Sequence, residues 1–154
     1  MTETASSVMD PQPSVMRADE PITKAIDIIM KNRYRNLPVV DYDGRYLGIF
    51  GISCLLRLVL PKAALMEGGL ETLSFVGDTL SDLRARLKEF KDEPVSTCLS
   101  AEVSVVRPDT PLIETLLILY RTRTSLPVVD PETRRLVGMI SYWDAGEKIL
   151  TEDR

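Results

Sequence analysis

The sequence predicts an α/β (α+β) fold built from two tandem copies of one strand–helix–strand–strand–helix (βαββα) unit. Three observations carry that expectation. Leu37-Pro38-Val39-Val40-Asp41 returns as Leu126-Pro127-Val128-Val129-Asp130. Tyr46-Leu47-Gly48-Ile49-Phe50 returns as Leu136-Val137-Gly138-Met139-Ile140. Asp19-Glu20-Pro21 returns as Asp109-Thr110-Pro111. The offset is 90 residues at Pro21/Pro111, 89 at Pro38/Pro127 and 90 at Gly48/Gly138. One residue is lost near the helix end and one is gained in the following turn, where chains tolerate such changes.

In chain order, residues Met1 to Asp10 read as a loose lead-in, punctuated by Pro11 and Pro13. Ser14-Val15-Met16 is a short extended piece. Acidic residues followed by Pro21 open a helix to about Asn32. Ile22, Ala25, Ile26, Ile29 and Met30 fall on one face of it. Leu37 to Val40 is a strand whose Pro suits an early position. Asp43-Gly44 turns the chain, Tyr46 to Phe50 returns it, and Ile52 to Leu60 is a helix stopped by Pro61. Gly68-Gly69 marks a turn. Asp78 or Thr79 caps a helix of about Leu80 to Phe90, with Leu80, Leu83 and Leu87 on one face and Arg84, Arg86, Lys88 and Lys91 as its solvated side. The second copy opens its helix after Asp109-Thr110-Pro111, with Leu112, Ile113, Leu116, Leu117 and Leu119. The expected divisions are 8–62 for the first unit, 63–93 for a helical linker and 94–150 for the second.

Bulk properties narrow the function. The 154 residues suffice for one core or two small lobes. No apolar run reaches the length of a membrane span. The first ten residues lack a basic or apolar block, so no secretory signal and a cytoplasmic location are expected. The net charge of −4 argues against nonspecific nucleic-acid binding as the main task. Histidine is absent, which removes the commonest general base and a common metal ligand. Cys54 and Cys98 form no disulfide framework and supply too few ligands for zinc. With no base identifiable beside them, they read as ordinary small residues.

The chemistry concentrates at Gly138-Met139-Ile140-Ser141-Tyr142-Trp143-Asp144. An apolar strand ends at Ser141 and a helix-compatible run follows. Such a junction gathers backbone N–H groups and the positive end of a helix dipole, which suits a phosphate. Asp144, about one helical turn after Ser141, can accept two charge-assisted bonds from a ribose diol. Ser141-x-x-Asp144 is equally a capping-box pattern, whose task is to satisfy orphan N–H groups.

The repeated elements, twice in order and at matching spacing, resemble the CBS domain, and the duplicate resembles a CBS pair. That resemblance implies two βαββα lobes packed sheet to sheet about a pseudo-twofold axis, with two clefts between them. It implies a regulatory module, not an enzyme, that binds an adenosine compound such as AMP, ADP, ATP or S-adenosylmethionine and needs no catalytic cofactor; Arg35, a phosphate cation, makes S-adenosylmethionine the less favoured of these. The family's nucleotide motif is Gly, two apolar residues, Ser or Thr, two residues, then Asp. The second copy matches it at Gly138, Met139, Ile140, Ser141 and Asp144. The first copy departs, with Gly51 and Cys54 in place of Ser141 and Asp144. One competent cleft and one impaired cleft are therefore expected.

Carried onto this chain, the resemblance adds Ser14 and Val15 around the adenine, and Arg35, Asn36, Thr124 and Ser125 around the phosphates. Arg35 is also readable as a solvated helix-end arginine, and Asn36 and Ser125 as turn or cap residues. Apolar positions along Leu112 to Tyr120 and Ile52 to Leu60 exceed what one helix face needs, so a homodimer is expected. The regulated partner is a separate, unidentified protein. The competing expectation is an interaction or dimerisation module without a ligand.

Overall fold

The computed structural model describes residues 3–61, 65, 79–100 and 103–151. Two sheets form. In the first, β1 (Met16–Arg17) runs parallel to β2 (Asn36–Val40), which pairs antiparallel with β3 (Tyr46–Gly51). In the second, β4 (Leu126–Val129) pairs antiparallel with β5 (Leu136–Ile140). The counterpart of β1 is reduced there to one parallel bridge, Val106 to Val128, in the register of Met16 to Val39. Among the described residues the α-helices are α1 (Ile22–Asn32), α2 (Ile52–Val59), α3 (Leu80–Phe90), α4 (Leu112–Thr122) and α5 (Tyr142–Leu150).

Every residue of β2 and β4 is buried. A strand covered on both faces needs a continuous apolar run, which explains why Leu-Pro-Val-Val recurs without polar alternation. Leu37 and Val39 enter one core cluster with Met16, Ile22, Ala25, Ile29, Phe50, Val95 and Cys98. Leu126 and Val128 enter the other with Ala5, Val8, Val106, Leu119 and Ile140. Strand alternation turns Pro38, Val40, Pro127 and Val129 to the opposite faces. The two hairpins meet back to back, Tyr46 N donating to Arg134 O at 2.9 Å and Leu136 N to Gly44 O at 3.0 Å.

The lead-in is not loose. Residues Ala5–Ser7 form a 3₁₀ turn with Ala5 fully buried, docked on the second unit: Ala5 N donates to Thr110 O and Ser6 N to Pro108 O. Residues Val95–Cys98 form the matching turn on the first unit, where Val95 N donates to Glu20 O and Ser96 N to Ala18 O. Each unit is thus completed by the segment that precedes the other. Beyond the turns, Asp10 exchanges two backbone bonds with Met139, and Ser100 exchanges two with Ile49.

That crossing explains the repeated glycines. A Cβ on Gly138 would lie 2.8 Å from Asp10 O, and one on Gly48 would lie 2.9 Å from Ser100 O. Backbone carbonyls held in a ladder cannot retreat. Smaller departures from expectation also have physical causes. Met30, expected on the buried face of α1, is 53% exposed, because Ile22, Ala25 and Ile29 already fill that face. The first extended piece pairs only from Met16. The α3 helix is capped by Thr79, which accepts from Asp82 N. Arg86 is not solvated: it is half-buried and donates to Val59 O at 3.0 Å, tying α3 to α2. The turn expected at Gly68-Gly69 lies outside the described residues.

Gly138→Ala should cost about 1–3 kcal/mol through overpacking against Asp10. Gly146→Ala, in α5 with nothing within 4 Å of the new methyl, should instead add about 0.5–1 kcal/mol through helix propensity. Urea melts of the two variants check this pair of opposite signs.

Candidate functional site

A cavity of about 740 Å³ opens between the units. Four segments wall it: the lead-in at Asp10, Pro13 and Ser14; the α1-to-β2 connection from Asn32 to Pro38; Ser125; and the β5-to-α5 junction at Met139 and Ser141 to Asp144. Its volume is that of a small-molecule site.

The β5-to-α5 junction is a complete capping box. Asp144 N donates to Ser141 Oγ at 3.0 Å, and Ser141 N donates to Asp144 Oδ2 at 2.9 Å. Among the described residues, Asp144 Oδ1 has no hydrogen-bond partner. Capping therefore uses one oxygen of this carboxylate and leaves the other available. Tyr142 is fixed by its hydroxyl, which donates to Leu119 O at 2.7 Å in the last turn of α4. Trp143 is left 87% exposed at the rim.

Opposite stands the C-terminal end of α1. It closes at Arg33, which takes a left-handed φ of 58° and donates to Ile29 O. Arg123 closes α4 in the same way, at φ 59°. Arg35 reaches across the interface and donates from Nη1 to Arg123 O at 3.0 Å. Asn36 is 6% exposed and donates from Nδ2 to Ser125 O at 3.4 Å. Its Oδ1 is buried with no hydrogen-bond partner among the described residues. A buried unpaired acceptor is costly, so this amide is an acceptor poised for a donor. Tyr34 and Ser14 share a hydrogen bond at 3.4 Å across the mouth.

Of the residues singled out in the sequence, Ser14, Arg35, Asn36, Ser125, Ser141 and Asp144 line this cavity. Gly138, Ile140, Val15 and Thr124 do not. Gly138 packs under Met9 and Asp10, and Ile140 is fully buried in the second core. Thr124 occupies the repeat position equivalent to Arg35 and is half-buried outside the lining of this cavity. Val15 faces solvent beside the cavity rather than into it. Tyr34, Trp143, Arg33 and Asp10 line it without having been singled out as ligands. Tyr34 lies beside Arg35, and Trp143 lies inside the Ser141-to-Asp144 motif. Neighbourhood in sequence was the signal for both.

At the equivalent junction of the first unit, Gly51 offers no side chain to the helix start. Only half a box remains: Gly51 N donates to Cys54 Sγ at 3.4 Å. The Cys54 thiol sits in the first core, 3% exposed, whereas Asp144 is half-buried at the cavity.

The model of the CBS domain matches residues 5–61 and 95–150. The chain belongs to the CBS-domain family. Among relatives of this CBS-domain protein is the uncharacterized protein MJ1426 of Methanocaldococcus jannaschii. It is 26% identical over 151 residues, covering 90% of this chain and 87% of that one. Among solved structures, CBSX2 of Arabidopsis thaliana in complex with AMP is 21% identical. It superposes with a TM-score of 0.67 over 96% of each chain. The CBS domain pair of protein MJ0100, in complex with 5′-methylthioadenosine and S-adenosyl-L-methionine, is 17% identical. Its TM-score is 0.62 over 97% of each chain. At these identities the solved structures establish the CBS-pair fold. Among the described residues, no helix is long and apolar enough to cross a membrane.

Ser141→Ala removes the oxygen that accepts from Asp144 N and should lower stability by about 1 kcal/mol. A denaturant melt reads this directly, and Ser141→Thr, which keeps the oxygen, should recover most of the loss.

Proposed function

We propose that this chain is a regulatory CBS-pair module that binds one adenine nucleotide (AMP, ADP or ATP) in the cleft walled by Asp144 and Arg35. The observation that carries this reading is the polarity of the cavity. One wall offers a helix start and a carboxylate oxygen without a partner; the other offers two arginines and an unpaired amide oxygen. A ribose diol fits the Asp144 oxygen, and phosphate oxygens fit the guanidinium groups of Arg33 and Arg35. Asn36 Oδ1 accepts from a hydroxyl or amino group of the ligand. Tyr34 and Trp143 offer aromatic surface to a base. Support also comes from CBS-pair structures that hold AMP, or 5′-methylthioadenosine and S-adenosyl-L-methionine. A phosphate beside two arginines favours the nucleotides over S-adenosylmethionine.

The module is regulatory rather than catalytic in this reading. A chain without histidine, whose cleft gathers binding groups but no nucleophile–base pair, passes its occupancy to a separate protein. We place it in the cytoplasm as a homodimer. The apolar residues left in solvent favour the dimer: Leu56 at 58% on α2, and Ile113 at 76% and Tyr120 at 71% on α4. Light scattering should give twice the chain mass, and Ile113→Glu together with Leu56→Glu should return it to one.

Calorimetry against AMP, ADP, ATP and S-adenosylmethionine tests the ligand. One nucleotide should bind per chain. Asp144→Asn keeps an acceptor for Ser141 N and hence the fold, but removes the charge. Its affinity should fall about 10- to 100-fold, the effect of about 1.5–3 kcal/mol for a charge-assisted bond. Unchanged affinity would remove the diol assignment. No binding of any of the four would favour a ligand-free interaction module.

A further inference from the structure

The core of the first unit contains a polar cluster that nucleotide binding does not use. Cys54 is the third residue of α2, and Cys98 ends the 3₁₀ turn that crosses over from the second unit. Both are buried free thiols, 3% and 6% exposed. Arg57, three residues after Cys54 and on the same helix face, turns one guanidinium nitrogen to both sulfurs. Nη2 donates to Cys98 Sγ at 3.2 Å and to Cys54 Sγ at 3.4 Å. The Cys54 thiol also donates to Cys98 O at 3.5 Å. At the equivalent positions the second unit carries Val8, Asp144 and Glu147, so the trio belongs to the first unit alone.

Arg57, exposed at the edge of this otherwise apolar cluster, exchanges water for weak sulfur acceptors at one nitrogen only. The exchange is favourable when a sulfur carries charge. The Cys54 thiol and the Arg57 guanidinium lower the Cys98 thiol against the effect of its burial, while the Cys98 sulfur and burial push Cys54 up. Cys98 is thus the more readily ionised of the two, and one Arg57 nitrogen bridges both sulfurs. Arg57 itself is exposed, so the two sulfurs lie one side chain beneath the surface. Burial of both sulfurs excludes bulky disulfides.

We propose that Cys54 and Cys98 are an oxidisable dithiol, in which hydrogen peroxide oxidises Cys98 and Cys54 then closes an intramolecular disulfide. The Cys98 thiolate attacks one peroxide oxygen. The O–O bond breaks, hydroxide leaves beside the Arg57 cation and takes up a proton, and Cys98 becomes a sulfenic acid. The Cys54 sulfur then attacks the Cys98 sulfur. The S–S bond forms, the S–O bond breaks, and water leaves with the Cys54 proton. Two thiols and one hydrogen peroxide give one disulfide and two waters. The bond would tie α2 to the crossing segment and close the chain between residues 54 and 98. This proposal stands apart from the nucleotide reading.

Reduced protein exposed to hydrogen peroxide should lose about 2 Da in intact mass, stay a single chain on a nonreducing gel, and show no alkylatable thiol after denaturation. A thiol reductant should reverse all three. Cys54→Ser should stop at a sulfenic acid, about 16 Da heavier and labelled by dimedone. Cys98→Ser should oxidise at least tenfold more slowly than the parent. Arg57→Met, at a partly exposed position, should slow the parent reaction about tenfold. Thermal melts establish that each variant is folded. If a cysteine variant fails to fold, the wild-type mass and the Arg57→Met rate decide. Two thiols still alkylatable after peroxide, disulfides only between chains, or Arg57→Met oxidising at the parent rate would overturn the proposal.

Discussion

The structure depends on the reciprocal exchange of its two lead segments. The backbone pairs Asp10–Met139 and Ser100–Ile49 join each sheet to the segment that belongs, by sequence, to the other unit. Both pairs require a strand position without a Cβ, and Gly48 and Gly138 supply it. With the segments in place, Ala5 and Val8 complete one core, and Val95 and Cys98 complete the other. Remove the exchange and each unit has an open core and an unpaired sheet edge.

The same exchange builds the cavity. Asp10 is anchored by its bonds to Met139, which directs Pro13 and Ser14 along one wall. The hairpins meeting back to back bring the end of α1 to face the start of α5. Arg35 and Asn36 then fasten the wall by donating to the carbonyls of Arg123 and Ser125. Residues far apart in sequence converge because the repeat is folded on itself, not because any one segment is shaped like a site.

Much of this was legible in the chain. Leu-Pro-Val-Val read as a buried strand because both faces are covered, and the spacing of Ser141 and Asp144 put them on one helical turn. Other parts were not. The turn at Ala5–Ser7 has no periodic apolar run, and its partners, Pro108 and Thr110, lie a hundred residues on, so local reading left it loose. Gly138 and Ile140 recur as members of a motif, yet one admits a crossing backbone and the other fills a core. A motif records everything a segment must do, and packing is part of it. Arg57 lies one helical turn after Cys54, but Cys98 joins them only through the crossing segment, so spacing alone did not reveal the trio.

The exchange also governs how the chain can be made. During synthesis the first unit emerges with its strands and helices but without Val95 to Ser100, so its core stays unfinished until the second unit has begun to appear. Meanwhile residues 3–10 wait for partners that are made a hundred residues or more later. Neither half can mature and be handed over as a finished piece. The chain becomes native as a whole, which makes two copies of one unit a single cooperative object.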